Sequence, residues 1–209
     1  MGDLVQSENS LPYPRLHQCF NEAVEDQNRA HETTLLSPLT ITLGDEFQGL
    51  VQSLGQAALI ARNLRLRLLA DDIDCRFVIG LAHIETPINN KQAWNMMGPG
   101  LSRARKKLNQ KKPNQFYRFS LLDDPKIELM LDALGAGLSM IETGWTKQQC
   151  ADITALMVGL SPVELAEKRN VSVHNIYKIR RSGNFDAYVI QWHAIMEGLA
   201  SLDRQEGLG

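Results

Sequence analysis

Asp45 and Glu46 stand side by side in the stretch LTITLGDEFQGLVQ, directly after the alternating residues Leu39, Ile41 and Leu43. Carboxylate oxygens are hard ligands that suit Mg²⁺ or Mn²⁺. Gly-Asp is also ordinary turn chemistry, in which Asp45 bonds its own backbone and Glu46 stays in solvent. Both readings stand at this point.

A second group of chemically capable residues lies in SPVELAEKRNVSVHNIYKIRRSG. Ser161, Pro162 and Glu164 have the types and spacing of a capping box that starts a helix. Ala166 is small where two helices cross closely, and Asn170 tolerates a left-handed turn. Val163, Leu165, Val171, Ile176 and Ile179 supply the apolar contacts of a helix-turn-helix, and Ser172 caps the second helix. That helix presents Val173, His174, Asn175, Tyr177, Lys178, Arg180 and Arg181. Their donors, with that of Ser172, suit base edges near its start and phosphates toward its end. The bland alternative is a helical hairpin with a solvated basic face. Specific DNA sites are commonly read as two half-sites, so the DNA reading implies a homodimer.

Six of the ten residues from Arg103 to Lys112 are basic. The run is either a solvated helix face or a further contact to DNA phosphates. Cys19, Cys75 and Cys150 are odd in number and far apart, which fits buried, reduced thiols rather than disulfides or a zinc site. The five histidines show no paired-ligand spacing either.

The elements that must position these groups follow from pattern. The chain has 209 residues, 44% of them hydrophobic, enough for one large domain or a medium domain with a small appendage. With 22 basic and 24 acidic residues the net charge is −2, so bulk electrostatics select no partner. No apolar run approaches the roughly 20 residues of a membrane span, and the start is polar, so a soluble cytoplasmic protein is expected.

Leu4 and Val5 read as the remnant of a strand. Leu16, Cys19, Phe20 and Val24 then fall at helical spacing after Pro14. Leu39 to Val51 reads as a hairpin with Asp45 at its tip. Ala57, Ile60, Ala61, Leu64 and Leu68 line one face of the next helix, with Arg62, Arg65 and Arg67 largely elsewhere. CRFVIGLAHIET reads as a buried strand, with Gly80 where a side chain would obstruct a neighbour. QFYRFSLL reads as a last strand, and from Lys126 the pattern is helical. Trp145 and Trp192 are expected in the core of the helical part.

Several stretches together resemble the SatD family: TITLGDEFQGLV, RFVIGLAHIET, GPGLSRARKKL, and a Trp-Thr helix leading into the helix-turn-helix. The opening GDLVQS is similar to the end of that family's first strand. The resemblance implies an N-terminal domain remotely similar to the nucleotide cyclase fold. In that fold acids from the first strand and a central hairpin hold divalent metals against a triphosphate. Carried onto this chain, it makes Asp3 and Asp45, with Glu46, candidate metal ligands. It makes Arg103, Arg105, Lys106 and Lys107 candidate phosphate contacts.

Three departures leave the cyclase-like site incomplete and weigh against an enzyme. Ser102 and Lys106 stand where the cyclases carry an Asn and an Arg, and Lys is no substitute for a bidentate Arg. Gln6 stands where the family has a second Asp. The family's first strand also has several apolar residues before the Gly-Asp, so either the sheet has lost most of a central strand or the natural start lies upstream of Met1; the second is the favoured expectation, because a missing inner strand would leave two sheet edges unpaired.

The expected fold is therefore α+β. A cyclase-like (ferredoxin-like) α/β sandwich with a mostly antiparallel sheet spans residues 1–123, a connecting helix 124–144 and a helix-turn-helix domain 145–205. The expected function is a cytoplasmic DNA-binding regulator whose N-terminal domain dimerises or senses a ligand such as a nucleotide. The alternative is a metal-dependent enzyme or binder acting on a nucleotide or phosphate ester, with Mg²⁺ or Mn²⁺ at the acidic hairpin.

Overall fold

A computed structural model describes residues 1–5, 12–121 and 124–208; Gln6, Ser7 and Asp123 lie outside the described residues. Among the described residues five strands are formed: β1 (Gly2–Val5), β2 (Leu35–Ile41), β3 (Glu46–Val51), β4 (Asp74–Gly80) and β5 (Tyr117–Ser120). Their order in the sheet is β2-β3-β1-β4-β5. β1 thus lies between two partners, antiparallel to β3 with Gly2 opposite Phe47, and antiparallel to β4 with Gly2 opposite Phe77.

The expectation of a mostly antiparallel sheet is corrected at its far edge. β5 pairs in parallel with β4, so the sheet is mixed. The reason is the connection, since an 11-residue helix between the two strands crosses over and returns the chain in the same direction. The strand expected to run on through Leu81 to Thr86 ends at Gly80.

The hairpin forms as its alternation indicates, with Asp45 in the turn beside Gly44 at φ 70°. Pro38 falls inside β2, which tolerates it because β2 is an edge strand. Gly80 is required by close approach: a Cβ there would lie 2.4 Å from the Ser120 carbonyl oxygen.

Eight helices accompany the sheet among the described residues. They are α1 (Tyr13–Ala30), α2 (Leu54–Leu69), α3 (Pro99–Asn109), α4 (Pro125–Thr143), α5 (Lys147–Met157), α6 (Pro162–Arg169), α7 (Val173–Ser182) and α8 (Phe185–Glu206). No helix is long and apolar enough to cross a membrane among the described residues. The strand alternation sends Leu4, Phe47 and Phe77 into one apolar cluster that also takes in Leu131 and Leu138 of α4 and Ile195 and Leu199 of α8. Aromatic rings follow one another across it: Phe20, Phe47, Phe77, Tyr117 and Trp192, with successive centroids 5.8, 5.8, 6.0 and 6.4 Å apart. Each such pair contributes about 0.5–1.5 kcal/mol beyond area burial. Trp145 and Trp192 pack against this cluster as expected. α3 packs over β4 and β5, where Ala104 and Leu108 meet Val78.

Arg65 departs from the expected polar side of α2, being fully buried. α2 packs against α1, β4, α5 and α8, so little of its circumference is left for solvent. Arg65 Nε donates to Glu142 of α4, and Arg65 also donates to the Cys75 carbonyl at 2.8 Å. The other Glu142 oxygen accepts the hydroxyls of Tyr117 and Tyr188, each at 2.8 Å. Burial, the largest single influence, opposes the charge of Arg65, but Glu142 together with Cys75, Tyr117 and Asp74 more than offsets it, so its pKa is raised. Burial and then Glu142 push both tyrosines well above the usual phenol range. A buried pair is stable only with its remaining polar atoms satisfied, and the two hydroxyls complete the carboxylate.

Candidate functional site

Strand alternation places Asp3, Glu46, Gln48 and Arg76 on the sheet face opposite the aromatic row, beneath α3. Asp3 lies across from Glu46 on β3 and from Arg76 on β4. Arg76 fills the space between strands: its Nε donates to Asp3 Oδ1 at 2.6 Å and a terminal nitrogen to Oδ2 at 2.7 Å. Both groups are buried. The two oxygens that would face a cation thus hold a bidentate guanidinium, the geometry that Arg fits best.

Asp45 stays in the turn. Its N–H bonds the Leu43 carbonyl at 2.6 Å, and its own carbonyl accepts from Leu4 N–H at 3.0 Å, fastening the hairpin to β1. Glu46 faces α3, where Arg105 donates to it at 3.3 Å and to Gln48 at 3.2 Å. The structure therefore brings Asp3 and Glu46 into one row, each with its own arginine. Among the described residues, no group of three or more His, Cys, Asp or Glu side chains is arranged to hold a metal ion.

The basic helix is divided by its packing. Lys107 turns toward α4, where it meets Glu128 at 2.6 Å and Asp132 at 2.7 Å as well as the Phe119 carbonyl. Arg103 donates to the Leu121 carbonyl at 3.0 Å. Lys106 is exposed. Arg118 of β5, buried, closes the far end of α3 by donating to the Gln110 carbonyl at 2.9 Å and the Leu108 carbonyl at 3.3 Å.

Spacing and motif do not single out Arg76, Arg118 or Gln48, which the fold brings to this face. A signal for the two arginines is nonetheless present: each sits inside an apolar strand run, where a charged side chain needs a buried partner.

The second site is built from α6 and α7. Ser161 and Glu164 form the reciprocal capping box, and Ser172 caps α7 through the Asn175 N–H at 3.2 Å. Hydrogen bonding from Ser161 lowers the Glu164 pKa. Asn170 ends α6 in the left-handed region at φ 53° and ψ 47°. Leu165, Ala166 and Ile176 are buried together, with Val171, Val173 and Ile179 against them. Arg169 secures α6 to the buried Asp152 of α5 at 2.5 Å. α7 is oriented further by Trp145, whose indole donates to the Gly183 carbonyl at 2.7 Å.

With Ile176 turned inward, α7 exposes His174, Asn175, Tyr177, Lys178 and Arg181 on its outer side. Arg180 differs from them. It donates to Asp186 at 2.7 Å and lies over the Phe185 ring, 4.8 Å from its centroid. Arg180 therefore braces α7 against α8.

The cysteines behave as packing residues. Cys19, Cys75 and Cys150 are all buried free thiols. Burial pushes the Cys75 thiol up to about 12 and the Cys150 thiol up to about 11, which suppresses the reactive thiolate.

The class defined by these observations is an α+β protein in which, among the described residues, a mixed five-stranded sheet is followed by five consecutive helices. A family model for the SatD family matches residues 1–195, and the chain belongs to that family. No curated protein and no solved structure matches it.

Proposed function

We propose that this SatD-family protein is a DNA-binding regulator that contacts DNA through α6 and α7 as a helix-turn-helix. One observation carries the reading: α7 is capped at Ser172, buried on one side through Ile176, and open on the other with Asn175, Tyr177, Lys178 and Arg181 side by side. Amide and phenol groups toward the start of such a helix suit base edges, and the cations farther along suit phosphates. The β2-β3-β1-β4 order supports a cyclase-like N-terminal domain as the part that senses a ligand or dimerises. A homodimer places two α7 helices on two half-sites.

Gel shifts on genomic fragments across a salt series test it. The paired substitution Lys178→Ala and Arg181→Ala should weaken binding and reduce the slope of log affinity against log salt by about 2, about 1 for each cation removed from a phosphate. Unchanged binding and slope would remove α7 from the interface.

The metal-dependent reading has less support, because Asp3 is committed to Arg76. Its discriminating measurement is thermal stabilisation by Mg²⁺ or Mn²⁺ with nucleotide, abolished in Asp45→Ala.

A further inference from the structure

α4 and α8 lie side by side and antiparallel. A Cβ on Gly137 would fall 2.1 Å from the Gln191 side chain and one on Gly198 would fall 3.5 Å from that of Leu131, so the start of α8 is beside the end of α4. The carboxylates of α4 are turned away from its outer side: Glu128 and Asp132 meet Lys107, and Glu142 is buried. What the outer side carries is apolar. Leu129, Met130 and Met140 of α4 and Ile190 of α8 are 67–76% exposed.

These residues form one seam. Met130, Ala133, Gly137 and Met140 follow the three-and-four spacing of a single helical stripe, and Ala187, Ile190 and Ala194 repeat it on α8. Gly137 meets Gln191, the residue after Ile190, so the two stripes are adjacent. The seam is large at its ends, with Met140 and Ile190 at one and Leu129 and Met130 at the other. It is small at its middle, where Ala133 and Ala194 stand. His193 and Glu197, exposed on the side of α8 farther from α4, take the place of a polar rim. A contiguous apolar surface with such a rim marks an interaction site.

We infer that this seam seats the same seam of a second copy, so that α4 and α8 of two chains close into a four-helix bundle. Charge selects the occupant. A seam without ionised side chains meets itself with no like-charge repulsion, whereas a partner that brought a charge would bury it unpaired. The size also fits: α4 has 19 residues, so it is about 28 Å long, and two packed helices are about 20 Å across. That footprint is of the order of the ~800 Å² that each partner of a stable pair contributes. A two-fold axis crossing the helices near Ala133 and Ala194 lays Met140 and Ile190 of one chain against Leu129 and Met130 of the other. The same axis sends the starts of the two α8 helices to opposite ends of the bundle, about 33 Å apart for 22 residues. Arg180 fixes α7 to the start of α8 through Asp186 and Phe185, so the two α7 helices stand roughly one turn of DNA apart, the 34–36 Å of paired half-sites. This last argument rests on the DNA reading proposed above; the charge and size of the seam do not. The dimer contact then belongs to the helices, and ligand sensing is left to the sheet.

Sedimentation equilibrium of the full chain without DNA, from about 1 to 100 μM, tests it. The chain should run at twice its own mass. Met140→Glu and Ile190→Glu should each raise the dimer dissociation constant at least about tenfold with far-UV circular dichroism unchanged, while Met97→Glu, at an equally exposed site off the seam, should not. Met130→Lys should weaken the dimer as Met140→Glu does, and an equal mixture of those two variants should pair again, because the new charges face each other across the axis. A chain that stays monomeric throughout would overturn the proposal and leave the seam to a different protein. So would a dimer that the seam variants leave intact, or a mixture that fails to pair. A dimer lost in the seam variants, from wild-type protein that shifts no DNA, would uphold the seam and remove the DNA reading instead.

Discussion

The carboxylate of Asp203, near the end of α8, accepts hydrogen bonds from the backbone N–H groups of Leu54 at 2.7 Å and Gly55 at 3.0 Å, the first two residues of α2. A charge from the far end of the chain thus satisfies two of the orphan donors of a helix in the N-terminal half, and its sign suits the helix dipole there.

Asp203→Ala should cost about 1.5–3 kcal/mol, the range for hydrogen bonds to a charged group. Urea unfolding monitored by tryptophan fluorescence measures it. A cost near zero would mean that Ser53, the local N-cap, suffices for α2.

Arg76→Ala should be more damaging than Asp203→Ala, because it leaves the Asp3 carboxylate buried without the guanidinium that both its oxygens accept from. The expected loss is about 3–5 kcal/mol. Replacing both partners, as Asp3→Asn with Arg76→Met, should recover much of that loss. A double-mutant cycle that gives additive effects would show that the two side chains are not coupled in solution.

Stability should fall on the alkaline side. Burial raises the Cys75 thiol from 9.0 to about 12, so between those pH values the unfolded chain has released a proton that the native chain keeps. The unfolded state binds fewer protons, so stability is fully present below about pH 9 and declines as pH rises toward 12. Melting temperatures from pH 8 to 11 should show the decline. Cys75→Ala should make the decline shallower, leaving the share of Cys150 and the two buried tyrosines, even though the variant melts lower at pH 7; an unchanged slope would assign the alkaline sensitivity to those other groups.

Much of this architecture is legible in local spacing. The hairpin, the start of α1, the cap residues of α6 and α7 and the turn at Asn170 each depend on residues within a few positions of one another. What is not legible depends on partners far apart in the chain. The Arg65–Glu142 pair spans 77 residues, and nothing in the sequence neighbourhood of Arg65 distinguishes it from Arg62 and Arg67, the partly exposed arginines of the same helix. The Asp3–Arg76 pair is hidden for the same reason: Asp3 alone has the look of a ligand, and only strand pairing shows what faces it. The parallel edge follows from a crossover whose strand is visible in the sequence but whose direction is not.

Asn170 offers a local test of the α6–α7 turn. Its left-handed backbone costs an ordinary residue about 1–2 kcal/mol, so Asn170→Ala should lose about that much while Asn170→Gly should be nearly neutral. Thermal unfolding of the two variants checks the order, and a reversed order would mean that the turn differs in solution.

The Glu142 carboxylate accepts from α2, β5 and α8 at once, through Arg65, Tyr117 and Tyr188. Neither the sheet layer nor the long C-terminal helix can therefore detach without stranding a charge in a dry interior. The two halves are bound to melt together, and calorimetry should find them in a single endotherm whose van't Hoff and calorimetric enthalpies agree.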